Sequence, residues 1–192
     1  NFDIICTAFD NVVAYGSGQG AAKVGTSPDY VVIMGATQLE LSLIVAPEIK
    51  TVADLAGKTI ALDALTTGFA FVLFDMLEAA GLGRSDVEFV AVGATPQRWQ
   101  SVQDGTHAAT LLIEPFTSIA QFGGFNVIAK STDMYAEYQG GVIATTRKTL
   151  QSEPEKVEAF IGAYLNGLGW VLDPANREGA ESILSSRMPQ IK

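Results

Sequence analysis

Short apolar runs of strand length recur along the chain, and most of them are rich in β-branched residues. They occupy seven segments, at 2–7, 30–35, 41–46, 59–62, 88–92, 109–113 and 126–130. From residue 59 onward the runs alternate with helical segments, such as 67–80, which ends at Gly81. Strands that alternate with helices in this order predict βαβ units, and near-continuous apolar strands predict sheets covered on both faces.

The pattern changes after two adjacent glycines at 140–141. One more strand is predicted at 142–145, and apolar positions at helical spacing then predict a long amphipathic helix over 154–173. The middle of the chain therefore forms one α/β block, while the segments on either side of it form parts of another. We expect two lobes, the second inserted into the first: residues 1–46 with 140–192, and residues 47–139.

Composition and charge limit the possible functions. Hydrophobic residues make up 48% of the chain, which excludes a disordered segment, and no apolar run reaches the roughly 18 residues that a membrane-spanning helix needs. The formal net charge is −9. A chain this acidic is repelled by a phosphate backbone, so we expect no nucleic-acid partner.

Residues for metal-dependent or nucleophilic chemistry are scarce. Cys6 is the one cysteine and His107 the one histidine, so the sequence supports neither a cysteine-based zinc site nor a two-histidine metal motif. The glycines at 16, 18 and 20 follow a helix, whereas a dinucleotide-binding turn places them between a strand and a helix. By elimination we expect a binding protein, not an enzyme, with no cofactor and no metal.

Four predicted strand-to-helix turns fall at the carboxyl ends of strands, where open parallel sheets bind their ligands. These turns lie at 7–11, 65–69, 93–98 and 114–117. Each helix start offers unpaired backbone N–H groups and a partial positive charge, which attract carboxylate, sulfonate or phosphate groups. We therefore expect the turns to gather around one ligand site.

The second turn carries the clearest ligand-binding pattern. Thr66 and Thr67 supply hydroxyl groups, Gly68 lets a ligand oxygen approach the backbone closely, and Phe69 offers an aromatic face. The alternative for the two threonines is ordinary capping of the helix that follows. The alternative for Phe69 is a place in the core.

Four further candidates lie in the other turns. Asp10 and Asn11 either contact a ligand or cap a helix. Arg98 is a cation near a helix start, which suggests an anionic partner, and its alternative is a solvated surface arginine. Glu114 precedes a proline, so it either accepts a hydrogen bond from a ligand or caps the following helix.

The segment 47–62, Pro-Glu-Ile-Lys-Thr-Val-Ala-Asp-Leu-Ala-Gly-Lys-Thr-Ile-Ala-Leu, resembles a signature of ABC-transporter substrate-binding proteins. The branch it resembles handles sulfonates, nitrate and thiamine-pyrimidine precursors. Other segments continue the resemblance in the same order along nearly the whole chain: 3–11, 66–69, 77–82, 103–105, Glu114-Pro115 and the stretch from Gly141 through the long helix.

This resemblance implies a periplasmic-binding-protein fold of the second type. Two α/β lobes close on a ligand, and strands near 41–46 and 142–145 cross between them. It implies ligand contact for Asp10, Asn11 and the residues Thr66, Thr67, Gly68 and Phe69, and more weakly for Arg98 and Glu114. Because members of the family are longer, we expect a chain truncated at both ends.

The functional expectation is the solute-binding component of an ABC importer, which captures a small anionic or aromatic molecule and presents it to the membrane permease. We expect a monomer in the periplasm, or outside the cell and anchored to the membrane in a Gram-positive source. Two alternatives stay open. One is an enzyme on the same scaffold, similar to a pyrimidine-precursor synthase, and the other is the ligand-sensing domain of a transcription regulator.

Overall fold

The apolar runs assemble into two separate sheets in the computed structural model, which describes residues 2–20 and 28–188. Strands and helices follow along these residues in this order: β1 (Ile4–Ala8), α1 (Phe9–Gly16), β2 (Tyr30–Thr37), β3 (Ser42–Val45), β4 (Thr59–Leu62), α2 (Gly68–Ala79), β5 (Glu88–Ala91), α3 (Thr95–Gln103), β6 (Ala109–Leu112), α4 (Phe116–Phe122), β7 (Asn126–Lys130), α5 (Ser131–Met134), β8 (Gly141–Thr146), α6 (Arg147–Ser152), α7 (Pro154–Leu172) and α8 (Arg177–Arg187).

The larger sheet has five strands in the order β5-β4-β6-β3-β7. Strand β4 runs parallel to β5 and β6, as the βαβ pattern predicts, whereas β3 runs antiparallel to β6 and β7. Helix α2 packs on this sheet, and Leu73 and Leu77 join Leu43, Leu62 and Leu111 in a fully buried core. Burial of this kind stabilises the fold by about 25 cal/mol for each Å² of apolar surface removed from water.

The smaller sheet has the order β1-β8-β2, and both of its pairings are antiparallel. Helix α1 contacts all three of these strands. Helix α1 therefore belongs to the unit around the three-stranded sheet, and α2 belongs to the unit around the five-stranded one.

The chain passes between the sheets twice, at 38–41 and at 135–140, next to the strands that were expected to cross. The predicted lobe boundary at residue 46 gives β3 to the first lobe, whereas β3 pairs within the five-stranded sheet. Strand β3 belongs to the larger sheet because its four residues are all buried and pair with β6 on one side and β7 on the other. We retain two lobes as a proposal, with the first crossing moved to 38–41.

The two crossings pack against each other without room for extra atoms. A Cβ atom at Gly140 would overlap the Leu39 side chain, and one at Gly141 would overlap Cγ2 of Thr37. The Gln139 side-chain amide donates to the backbone oxygens of Thr37, at 3.0 Å, and Gly141, at 2.7 Å. Two adjacent glycines are therefore required where the crossings meet.

Helix α7 matches the predicted long amphipathic helix, but its apolar face is buried only near its start. Val157 is 3% exposed, whereas Leu168 and Leu172 are 43% and 70% exposed. No helix in the described residues is both long and apolar enough to cross a membrane. Residues 21–27, which follow the glycines at 16, 18 and 20, lie outside the described residues.

Candidate functional site

Two of the predicted turns meet where α1 approaches the start of α2. The backbone N–H of Gly68 donates to Oδ2 of Asp10 at 2.6 Å, although 58 positions separate the two residues. The first turn belongs to the three-stranded unit and the second to the five-stranded unit. We call this region the α1–α2 junction; it consists of Asp10, Asp63, Thr67, Gly68 and Phe69.

Gly68 allows this contact because it has no side chain. A Cβ atom there would overlap the carboxylate carbon of Asp10. Gly68 is itself buried, and it is the first residue of α2, where the backbone N–H groups have no partner within the helix. The glycine therefore lets a negatively charged oxygen reach the positive end of the helix.

Thr67 caps α2, as the alternative reading of this turn proposed. Its Oγ1 accepts from the N–H of Ala70 at 3.3 Å and donates to Oδ1 of Asp63 at 2.9 Å. Thr66 is exposed next to it. Asn11 uses its side-chain amide within its own turn, donating to Oγ1 of Thr7 at 3.0 Å.

Asp63 and Tyr138 belong to this region and were missed by sequence reasoning. Asp63 directly follows β4, and a carboxylate at the carboxyl end of a parallel strand is a signal that sequence analysis could have used. Tyr138 lies in the second crossing, close enough for the charge of Asp10 to help raise its pKa, after the larger effect of burial. No local pattern marks Tyr138, since only the fold brings the crossing to α1.

Burial raises the pKa of Asp10 above its ordinary value, and the charge of Asp63 adds to this effect. The hydrogen bond from Gly68 acts in the opposite direction and lowers the pKa. Among the described residues, Oδ1 of Asp10 is buried without a hydrogen-bond partner. The ionised carboxylate is thus held in place by one strong bond while it loses part of its hydration.

Arg98 is not the solvated surface residue of the alternative interpretation, because it is only 2% exposed. Its two terminal nitrogens donate to the chain's own oxygens: the Gly93 carbonyl at 2.8 Å, and Thr95 Oγ1 and the Leu111 carbonyl, both at 3.2 Å. Burial lowers its pKa, and the charge of Asp63 opposes that shift. The guanidinium lies 5.5 Å from the centre of the Phe69 ring and so supports this aromatic face from the protein side.

Glu114 lies between β6 and α4, two residues after the end of β6. It is exposed, and its carboxylate accepts from the backbone N–H of Ser118 at 3.3 Å and from the Ser118 hydroxyl at 3.1 Å. These are the bonds of a helix-capping carboxylate. The capping alternative therefore describes what Glu114 does in the structure.

A separate cavity of about 490 Å³ lies between the three-stranded sheet and the starts of α6 and α7. Its walls include Tyr30, Thr146 and Lys148, and none of the predicted site residues lines it. Within the described ranges, no group of three or more histidine, cysteine, aspartate or glutamate residues is arranged to hold a metal ion.

Comparisons with known proteins identify the class. The chain belongs to the family described as NMT1/THI5 like, whose model matches residues 31–177. No curated protein matches the chain in sequence at a significant level.

Solved structures confirm the periplasmic-binding-protein fold. The chain superposes on the periplasmic aliphatic sulphonate binding protein SsuA from Escherichia coli with a TM-score of 0.75 at 21% identity, covering 98% of this chain and 62% of that one. The periplasmic nitrate-binding protein NrtA from Synechocystis PCC 6803 gives 0.78 at 13% identity, with 96% and 51% coverage.

An enzyme shares the same fold. The desulfurization enzyme DSZB gives a TM-score of 0.64 at 14% identity, covering 96% of this chain and 67% of that one. The chain thus spans between one half and two thirds of these longer proteins. At such identities the likeness establishes the fold, and it leaves binding and catalysis to be argued from the site.

Proposed function

We propose that this chain is part of the solute-binding component of an ABC importer, which captures a small molecule between its two lobes and presents it to a membrane permease. The observation that carries the proposal is the contact of Asp10 with Gly68, which joins helix starts from the two sheet units. The family supports it, as do the sulphonate- and nitrate-binding functions in the names of proteins with the same fold.

The proposed ligand contacts are six of the predicted residues: Asp10, Asn11, Thr66, Thr67, Gly68 and Phe69. Helix α2 offers the Gly68 N–H to a solute that displaces the Asp10 carboxylate, the threonines offer hydroxyl groups, and Phe69 offers an aromatic face next to Arg98. We leave Arg98 out of this set because it is 2% exposed and its terminal nitrogens bond to backbone carbonyls, and we leave Glu114 out because its carboxylate caps α4, not α1 or α2. A small anionic or aromatic molecule fits the remaining groups.

The proposed mechanism is closure of the two lobes about the crossings at 38–41 and 135–140. A ligand that contacts both helix starts favours the closed arrangement, because it binds that arrangement better than the open one. The permease then recognises the closed form. We place this protein in the periplasm, or outside the cell and anchored to the membrane, and we propose that it acts as a monomer.

Binding is favoured over catalysis by the position of His107. This histidine precedes β6, and so lies at the edge of the sheet opposite to the one where Asp63 follows β4, since β4 and β6 run parallel. Its backbone N–H donates to Ser101, within the turn that ends α3. The one histidine of the chain is thus far from the α1–α2 junction, which leaves that junction without an imidazole for general acid–base catalysis.

Calorimetric titration of the full-length protein tests the proposal. The panel contains ethanesulfonate, nitrate, benzoate and a 4-aminopyrimidine, and we expect saturable binding of one class by the wild type. Gly68→Ala should lose that binding, because the new methyl group blocks approach to the N-terminus of α2. Gly162→Ala, on α7 in open space, is the matched control and should bind as the wild type does. Absence of binding across the panel, or equal binding by Gly68→Ala, would count against the proposal.

A further inference from the structure

We propose that Asp10 is an internal latch, whose carboxylate joins the two lobes at the N-terminus of α2 in the solute-free protein and is displaced from Gly68 when an anionic solute binds there. This inference rests on the proposed function, because a latch has meaning only where lobes open and close. It concerns how the chain controls its own closure, beyond the capture of a solute.

The contact crosses between units that are otherwise built around different sheets. Asp10 stands on α1, which packs on β1, β2 and β8, and Gly68 begins α2, which packs in the core of the five-stranded sheet. The N–H···Oδ2 distance of 2.6 Å is that of a short charge-assisted hydrogen bond. Bonds of this kind are stronger than neutral ones, so one such bond has a measurable influence on closure.

Position 68 has room for the Asp10 carboxylate because it is a glycine. Any residue other than glycine at 68 would place its Cβ atom on the Asp10 side chain. The two sides therefore depend on each other: an acidic side chain on one unit, and a backbone without a side chain on the other. Ordinary capping by Thr67 already serves Ala70, so Asp10 adds a second acceptor to the same helix start.

The backbone that carries Asp10 is hydrogen-bonded to the second crossing. The backbone N–H of Phe9, one residue before Asp10, donates to the carbonyl oxygen of Gly140 at 2.9 Å. Gly140 lies in the second crossing against Leu39 of the first, and Gly141, the first residue of β8, lies against Thr37, the last residue of β2. A change in the crossings therefore moves the backbone that carries Asp10.

Other interactions of the Asp10 carboxylate favour opening of the latch. One carboxylate oxygen of Asp10 is buried without a partner in the described residues, and the charge of Asp63 acts on the same carboxylate as an unfavourable neighbour. Opening returns water to the carboxylate and removes it from the field of Asp63. The bond to Gly68 opposes this tendency, so the two effects act on the closed form in opposite directions.

While the latch is closed, Asp10 occupies the position that an external anion would take. The first N–H groups of α2 carry a partial positive charge, and an anion placed there would lie next to the Asp10 carboxylate. Two unit charges of the same sign at about 4 Å repel each other strongly at the effective dielectric of a protein surface. Removal of Asp10 should therefore tighten sulfate association at Gly68 by at least about tenfold.

The test uses the full-length protein labelled with ¹⁵N, and inorganic sulfate as the probe. Sulfate is titrated against the Gly68 amide resonance with chloride at equal ionic strength as reference, and small-angle scattering gives the radius of gyration. In the wild type we expect sulfate association at Gly68 to be at least about tenfold weaker than in Asp10→Ala. In Asp10→Ala we expect a saturable shift and a larger radius of gyration.

A second variant opens the latch from the other side. Gly68→Ala displaces the carboxylate sterically and should enlarge the radius of gyration as Asp10→Ala does, even if one of the two variants folds poorly. Asp173→Ala is the matched control, because Asp173 is exposed and also accepts from a backbone N–H, that of Ala175 at 2.9 Å, far from the junction. Asp173→Ala should have the radius of gyration of the wild type and the same response of the Gly68 amide to sulfate.

The latch is overturned if the folded Asp10→Ala and Gly68→Ala proteins keep the wild-type radius of gyration, or if sulfate shifts the wild-type Gly68 amide as strongly as that of Asp10→Ala. These outcomes are separate from failure of the proposed function. Solute binding with an unchanged radius of gyration in both variants would remove the latch alone. Opening of both variants without any solute binding by the wild type would keep the latch and remove the importer assignment.

Discussion

Arg98 lies under Phe69, with its guanidinium carbon 5.5 Å from the centre of the aromatic ring and its terminal nitrogens bonded to two backbone carbonyls. The residue that sequence analysis treated as a ligand contact or a surface side chain is thus a buried support for the aromatic face of the site. This relationship makes the position of Phe69 depend on a charge in the core.

Replacement of Arg98 by methionine should lower the free energy of unfolding by about 2–4 kcal/mol, because the carbonyls of Gly93 and Leu111 lose their donor. Arg98→Lys should recover only part of this loss, since one ammonium group cannot reproduce the fork of the guanidinium. Urea unfolding measures both. Arg177→Ala, which breaks an exposed pair with Glu181, should leave stability nearly unchanged. Wild-type stability in Arg98→Met would contradict the assigned role.

Glu114→Ala should act on α4 and leave the site intact. Loss of the bonds to Ser118 is expected to lower stability by about 1 kcal/mol, the usual effect of removing a helix cap. Affinity for any solute that the wild type binds should not change, which calorimetry checks. A loss of affinity with unchanged stability would restore Glu114 to the ligand contacts.

The raised pKa of Asp10 gives a pH dependence of definite sign. Its folded pKa lies above the ordinary value of 3.8, so the fold favours the protonated form. The stability of the wild type relative to Asp10→Asn should therefore be greatest below pH 3.8 and should fall as the pH rises through the folded pKa.

Asp54→Asn is the control for this sign, because backbone hydrogen bonds from Thr51 and Lys50 lower the pKa of Asp54. Its contribution should be present above the unfolded pKa and lost as the pH falls through the folded one. Unfolding curves recorded across this pH range give the stability of the wild type relative to Asp10→Asn and relative to Asp54→Asn. These two differences should change with pH in opposite directions. Equal slopes would contradict the burial of Asp10.

A compensating substitution tests the packing next to the crossings. Gly141→Ala should destabilise the protein by about 1–3 kcal/mol, because the new methyl group overlaps Cγ2 of Thr37. Thr37→Ser removes that methyl group, so the double variant should recover most of the stability lost. A double-mutant cycle measures the coupling, and simple additivity of the two changes would mean that the crossings do not pack as described.

Sequence analysis found those features that depend on neighbouring residues. The start of α2 follows from Thr67 and Gly68, and the strands follow from short apolar runs, so both were predicted within a residue or two. The rule that ligand sites form at the carboxyl ends of parallel strands applies to the turn after β4, whereas β1 belongs to an antiparallel sheet, so the rule does not explain why its turn meets the one after β4.

The features it missed depend on residues far apart in the chain. The bond of Arg98 to the Leu111 carbonyl depends on how α3 packs against β6, 13 positions further along the chain. The place of β3 depends on which sheet can bury both of its sides. Tyr138 reaches Asp10 through the second crossing, and no local pattern marks a residue whose role comes from such a connection.

Native mass spectrometry of the full-length protein, after exposure to a small-molecule extract of its own cells, tests most directly whether this fold captures a solute. We expect one small molecule bound to each chain, released on denaturation, retained by Gly162→Ala and lost from Gly68→Ala. A wild-type protein that carries no small molecule, or a Gly68→Ala variant that carries the same one in the same amount, would contradict a solute site at the start of α2.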